Sequence, residues 1–324
     1  MKIGSVKKIA ALLAASMVLF SAAACSRTPA SSSSEAPGSS APSSSVSVSS
    51  SKPASSSSVA PSSSEPEIPV IEVADNKGKV TEAIAINDDV GGYIYIPDTL
   101  VDEPVVCADN YSDSKTFYAT YDTTSNRLDW KKESTGVGGT GALYFHPAAK
   151  FDSRENLSSN LVVFGHNIGR LDSSIPYDSV VLTDNPDGPK FGQLYKFLDE
   201  DFAKNHPYIY VSTENDNLVY QIIAVYWTEA ETRPRYYSSN LDSEEALEVA
   251  VDALDRSQWI YEDVELEEGD KFLTLSTCTY SFTADVHAAE AYRYVVMAKL
   301  LPEGARGEAT ANITKNPSPK EPQV

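Results

Sequence analysis

Few side chains in this chain are suited to covalent chemistry: 324 residues contain three cysteines and four histidines. Cys278 ends an apolar, β-rich run, LTLSTC, and polar Thr279, Tyr280 and Ser281 follow it. A cysteine in such a place is more often a small buried hydrophobe than a nucleophile. A nucleophilic thiol needs a base or a positive charge nearby to populate the thiolate. His166 is the best-placed base by sequence, since it too follows an apolar run, LVVF, within Gly165-His166-Asn167-Ile168-Gly169. The flanking glycines leave its imidazole accessible, and Asn167 either orients it or serves the turn. His287, nine residues past Cys278 in TADVHAAEA, is the rival base. His146, between Phe145 and Pro147, reads as a loop residue, and His206 as the polar end of a helix.

Arg293 opens the run YRYVVMAKLL, where alternation puts it on one face with Val295 and Met297. A charge there is costly without a partner. A guanidinium is well suited to holding an acyl group and steadying a developing oxyanion. The plainer reading is an arginine snorkelling at a sheet rim. Arg233 and Arg235 are alternative positive groups.

The elements that must position these residues are mostly strands. Segments 92–97, 104–107, 142–145, 160–166, 207–213, 217–227, 271–277 and 292–301 are short, rich in Val, Ile and Tyr, and bounded by turn residues. Eight such segments in one domain predict a closed barrel or sandwich. Phe191, Leu194, Tyr195, Leu198 and Phe202 fall at helical spacing. A second helix is predicted from Asp242, with Glu245 completing a capping box, and with Leu247, Ala250, Val251 and Leu254 on its apolar side. A shorter one is expected near 78–86.

The N-terminus reads as an export signal spanning residues 1–25. Lys2, Lys7 and Lys8 precede an apolar stretch from Ile9 to Phe20, and Ala22-Ala23-Ala24 lead into Cys25. That ending resembles a lipobox with Ala22 in place of the usual leucine, which makes Cys25 the lipidation site. An uncleaved signal anchor and an ordinary cleaved signal are the alternatives. Residues 26–65 are a Ser/Pro/Ala tether without aromatic residues, expected to be disordered. The folded domain is expected at 66–302, and the Pro- and Lys-containing tail 303–324 is expected to be disordered. Beyond residue 64 the chain carries 21 basic and 45 acidic residues, a surface that repels nucleic acid. With Cys25 assigned to lipid, the remaining Cys107 and Cys278 are too few for a disulfide framework or a zinc site.

Taken together, LTLSTC, the strand ending in GHN and Arg293 opening the next strand resemble a sortase, a cysteine transpeptidase of the Gram-positive cell wall. The resemblance runs from about Gly91 to Leu301. Thr274-Leu275-Ser276-Thr277-Cys278 matches the family's TLxTC segment, His166 its histidine and Arg293 its arginine. GYIYIPDTLVDEPVVCADN (92–110), FGQLYKFLDEDFAKNHPYIYV (191–211) and the helix-bearing insertion at about 228–270 resemble class B. Cys278 and Arg293 stand fifteen positions apart, a longer spacing than the family pattern, so the loop between them is expected to shape the substrate groove.

The resemblance implies a mainly β fold: an eight-stranded barrel with peripheral helices, one of them in the long loop between strands six and seven. It implies Cys278 as nucleophile, His166 as general acid and base, and Arg293 as oxyanion stabiliser. Asn110, Thr277 and Tyr280 are implied substrate contacts. The scheme calls for no metal and no cofactor. Expected partners are proteins bearing a sorting signal, and peptidoglycan or its lipid-linked precursor as amine donor, at the extracytoplasmic face of the cell membrane. Two other readings compete. A non-enzymatic surface lipoprotein would leave Cys278 unreactive, for example bonded to Cys107. An L,D-transpeptidase would need a histidine close before its cysteine, and the sequence has none there.

Overall fold

The computed structural model describes residues 68–107, 141–167, 184–282 and 291–323. The eight expected strands are β1 (Val90–Tyr95), β2 (Asp102–Val106), β3 (Leu143–Phe145), β4 (Asn160–Phe164), β5 (Tyr208–Ser212), β6 (Asn217–Glu229), β8 (Phe272–Cys278) and β9 (Tyr292–Leu300). They close into one barrel in the order β1-β2-β3-β4-β8-β9-β6-β5. Closure gives every barrel strand a hydrogen-bonded neighbour on both sides. Helix α1 (Lys77–Ile86) packs beside β1.

The barrel has two apolar faces. Its interior holds Ile94, Leu143, Leu161, Val163, Tyr220, Ile222, Val225, Leu273, Leu275, Tyr294 and Val296. The outer face of β6, β9 and β8 carries a second cluster, including Ile223, Tyr226, Phe272, Val295 and Met297. A strand buried on both faces needs apolar residues almost throughout, which explains the run LVYQIIAVYW, broken only by half-buried Gln221. A shift in the β6–β9 register between Ile222 and Ala224 sends both Ile223 and Ala224 to the outer cluster.

Helix α3 (Ser243–Arg256) covers that outer face from the insertion between β6 and β8, the sixth and seventh barrel strands. Its capping box is formed: Asp242 accepts from Glu245 N, and the Glu245 carboxylate accepts from Asp242 N. The buried side is turned by one residue from the expected one. Ala246, Val249, Ala250 and Ala253 face the barrel, whereas Val251 is 47% exposed. Three small alanines let the helix lie close to the strands.

The helix expected across 191–202 divides in two. Phe191–Leu198 is a 3-10 helix, and α2 (Glu200–Asn205) starts afresh because Asp199 takes an extended conformation and caps Phe202 N. The tail also departs from expectation. Residues 303–323 lie along the molecule, and β10 (Ile313–Lys315) pairs antiparallel with β7 (Trp259–Tyr261) of the insertion.

Candidate functional site

Backbone pairing brings His166, Cys278 and Arg293 to one end of the barrel. β4 and β8 run parallel, with Phe164 beside Ser276, so His166 and Cys278 leave adjacent strands in the same direction. Gly165 N donates to Ser276 O at 3.2 Å and continues the pairing past the strand end. A side chain at Gly165 would place its Cβ 2.4 Å from Leu143 and 2.8 Å from Phe191. This glycine therefore serves a close approach, and any larger residue would displace the segment that carries His166. Across the antiparallel β8–β9 pair, Cys278 lies directly opposite Arg293.

Alternation along β8 puts Cys278 on the face of Phe272, away from the barrel interior. Cys278 is a half-buried free thiol, so it is not bonded to Cys107, which lies buried just after β2. Arg293 is half-buried and donates to Tyr292 O at 2.8 Å. Tyr236, from the insertion, closes over this face. Burial pushes its phenol well above the usual tyrosine range, and the nearby Arg293 charge pulls it partly back. Buried Asn160 holds the Tyr236 segment in place by donating to Tyr236 O at 2.7 Å and Ser238 O at 3.1 Å. Its own oxygen accepts from Thr274 at 2.7 Å.

A groove of about 620 Å³ runs beside Arg293. His146 and Phe164 stand on its wall, with Tyr236, Tyr237 and Tyr292 among the other lining residues. His146 is the loop residue expected directly after β3, and from there it faces the groove. Burial lowers its pKa, and its Nδ1 accepts from Ala148 N at 3.1 Å, which leaves any proton of the neutral ring on Nε2. His206 lies elsewhere, capping α2, with its ring nitrogens 2.8 Å from Phe202 O and 2.8 Å from Asp98.

The expected substrate contacts are distributed differently. Thr277 is 2% exposed and donates its hydroxyl to Gly165 O at 2.7 Å, which makes it a tie between β8 and the His166 segment. Tyr280 is half-buried and donates through its hydroxyl to Asn167 O at 3.1 Å. Asn110, Cys25 and the rival base His287 lie outside the described residues. Among the described residues, no group of three His, Cys, Asp or Glu side chains could hold a metal ion. No described helix is long and apolar enough to cross a membrane.

Asp184 is a residue of this site that sequence reasoning did not single out. Its carboxylate accepts from Asn167 Nδ2 at 2.7 Å, Thr279 Oγ1 at 3.0 Å, Tyr280 N at 3.0 Å and Ser281 Oγ at 2.5 Å. Asn167 also donates to Cys278 O at 3.1 Å. One anion therefore joins the residue after His166 to the three residues after Cys278. Hydrogen bonds to a charged acceptor are worth about 1.5–3 kcal/mol each, and stranded buried donors cost more. Asp184→Ala is expected to lose about 2–4 kcal/mol, and a thermal melt should fall by roughly 5–15 °C. Asp184→Asn should recover part of that loss. A melt unchanged in both variants would show that the anion does not hold the two segments. Only its place in a run of turn residues, TDNPDG, hinted at a role.

No protein-family model matches the chain. Over 216 residues it is 23% identical to sortase B of Staphylococcus aureus, covering 67% of this chain and 72% of that protein. It is 26% identical over 199 residues to sortase B of Listeria monocytogenes, covering 60% of this chain and 64% of the other. Among solved structures, Clostridium perfringens sortase B superposes with a TM-score of 0.51 at 22% identity, covering 68% of this chain and 99% of that one. The structural likeness establishes the shared barrel.

Proposed function

We propose that this chain, a class B-like member of the sortase family by sequence and fold, is a transpeptidase that cuts a sorting-signal peptide through a thioester on Cys278 and passes the acyl group to a cell-wall amine. The observation that carries the reading is the convergence of a free Cys278 thiol, the directly opposed Arg293 and His166 at the end of the adjacent parallel strand.

The chemistry follows from those groups. Cys278 thiolate attacks the carbonyl carbon of the scissile bond in the sorting pentapeptide, so a C–S bond forms and the carbonyl electrons move onto oxygen. Arg293, with a backbone N–H, stabilises that oxyanion. The intermediate collapses, the C–N bond breaks, and protonated His166 gives its proton to the leaving amine. The acyl group remains on sulfur as a thioester. A peptidoglycan-derived amine then attacks the thioester, neutral His166 takes its proton, and the thiolate leaves to restore the enzyme.

The signal-like segment ending at Cys25 and the Ser/Pro/Ala tether suit a domain held off the outer face of the membrane by lipid or by an uncleaved anchor. About 40 tether residues reach roughly 35 Å as a flexible coil. Clients would be surface proteins that carry the sorting signal.

Incubating the protein with a sorting-peptide library, followed by intact-mass and peptide-level mass spectrometry, tests the proposal. The expected result is an acyl adduct on Cys278 with release of the C-terminal peptide fragment. Release without any Cys278 adduct, or an adduct on another residue, would assign the chemistry elsewhere. A protein that captures no acyl group and releases no fragment is a non-enzymatic domain on the same fold.

A further inference from the structure

The tail beyond the barrel is bound along its length and reaches the groove. Ala311 N donates to Lys204 O, and β10 adds itself to β7. Lys315 lies over the Trp259 ring at 4.7 Å. Asn316 donates its backbone N–H to Gln258 O at 3.0 Å and its amide to Ser257 O at 2.7 Å, just past the end of α3. Lys320 donates through its backbone to Asp255 O at 2.9 Å and pairs its ammonium with Asp252. Pro322 is buried. Gln323 then donates its backbone N–H to Glu229 at 2.8 Å and accepts from the Tyr292 hydroxyl at 3.3 Å. Glu229, Tyr292 and Gln323 all line the groove with Arg293.

Resting on the transpeptidase reading above, we propose that residues 316–323 form a fixed wall of the acyl-donor groove beside Arg293 and determine which peptides it accepts. Several features distinguish a wall from a plug. The groove keeps a volume of about 620 Å³ with Gln323 in place. Both backbone groups of Gln323 are engaged by protein, while the residue itself is exposed. Its carboxamide therefore presents a donor and an acceptor at the rim, the complement of an extended peptide backbone. Glu229 is well suited to hold the wall. Burial works to raise its pKa, but the Gln323 N–H and the Arg256 guanidinium outweigh it, so the carboxyl stays below the usual range. Arg256, itself buried, is anchored on Asp252 at 2.6 Å, which ties the groove wall to α3.

Two variants test this. A chain ending at Ser318 keeps β10 and the Asn316 bonds, and Gln323→Pro removes both the N–H that binds Glu229 and the carboxamide at the rim. For the peptide that the full chain prefers, both should raise KM by about tenfold, the loss expected for one or two hydrogen bonds, with kcat within about twofold. Discrimination against poorer peptides should narrow by the same factor. Independently of any peptide, Cys278 should react with iodoacetamide at the parental rate in both variants. Its labelling by a bulky fluorescein maleimide should rise about threefold or more as the rim opens. Unchanged KM together with an unchanged bulky-to-small labelling ratio would overturn the wall. A rise in kcat/KM for all peptides would overturn it too, by making the segment a plug. If the full chain acylates with no peptide, the transpeptidase reading falls, and the labelling ratio still decides the wall.

Discussion

Cys278→Ala is expected to fold like the parent, form no acyl-enzyme and release peptide at least about 10³-fold more slowly, because in the proposed mechanism the acyl group is carried on the Cys278 sulfur. The substitution is structurally mild. Cys278 is half-buried at the last position of β8, outside the interior cluster, so removing its sulfur leaves no closed core cavity. Its backbone carbonyl, which accepts from Asn167, is untouched. The melting temperature should therefore stay within a few degrees of the parent, and loss of activity would report chemistry alone. Retained peptide cleavage in this variant would remove Cys278 from the mechanism. Cys278→Ser is a useful companion, since it keeps the shape and replaces the thiol by a hydroxyl that is far less ionised.

The second large effect is expected at Arg293. Arg293→Lys preserves the charge and loses the planar fork of donors, so it separates charge from geometry. Removing one oxyanion donor typically costs about 10²–10³ in kcat. We expect a fall in that range for Arg293→Lys, with KM changed by less than about threefold, because the lost contact strengthens only as negative charge develops on the carbonyl oxygen. Arg293 also donates to the carbonyl of its neighbour Tyr292, so the backbone at the head of β9 is braced from within. A thermal melt of the variant checks that this brace is dispensable. A kcat near the parental value would reduce Arg293 to a snorkelling side chain at the barrel rim. A rise in KM with unchanged kcat would make it a ground-state binding residue.

Much of the architecture was legible in the sequence because local rules and global packing agree there. The barrel strands are short runs dominated by β-branched, aromatic and leucine residues between turn residues, and Asp242 with Glu245 predicts the capping box that forms. The face of Arg293 followed from alternation, with Val295 and Met297 both in the outer cluster. Periodicity was less reliable where small residues matter. Hydropathy favoured Leu247 and Val251 as the inner side of α3, whereas close packing selected Ala246, Val249, Ala250 and Ala253. Asp199 could continue a helix or cap a new one, and its extended backbone decided for the cap. The tail reads as disordered because its own apolar content is low; its order comes from partners on β7, α3 and Glu229.

The sequence by itself determined the residue types able to react, the strands that carry them and the helix-bearing insertion, since each of these depends on spacing within a few residues. Only the tertiary structure decided that β4 and β8 lie side by side, more than a hundred positions apart, so that His166 and Cys278 leave the barrel together. It likewise recruited Asp184 to bind residues 95 to 97 positions away, and Gln323 to bind Glu229 across 94. Such contacts obey no local period. They form because barrel closure brings distant segments to one rim, where buried polar groups take whichever partner the fold supplies.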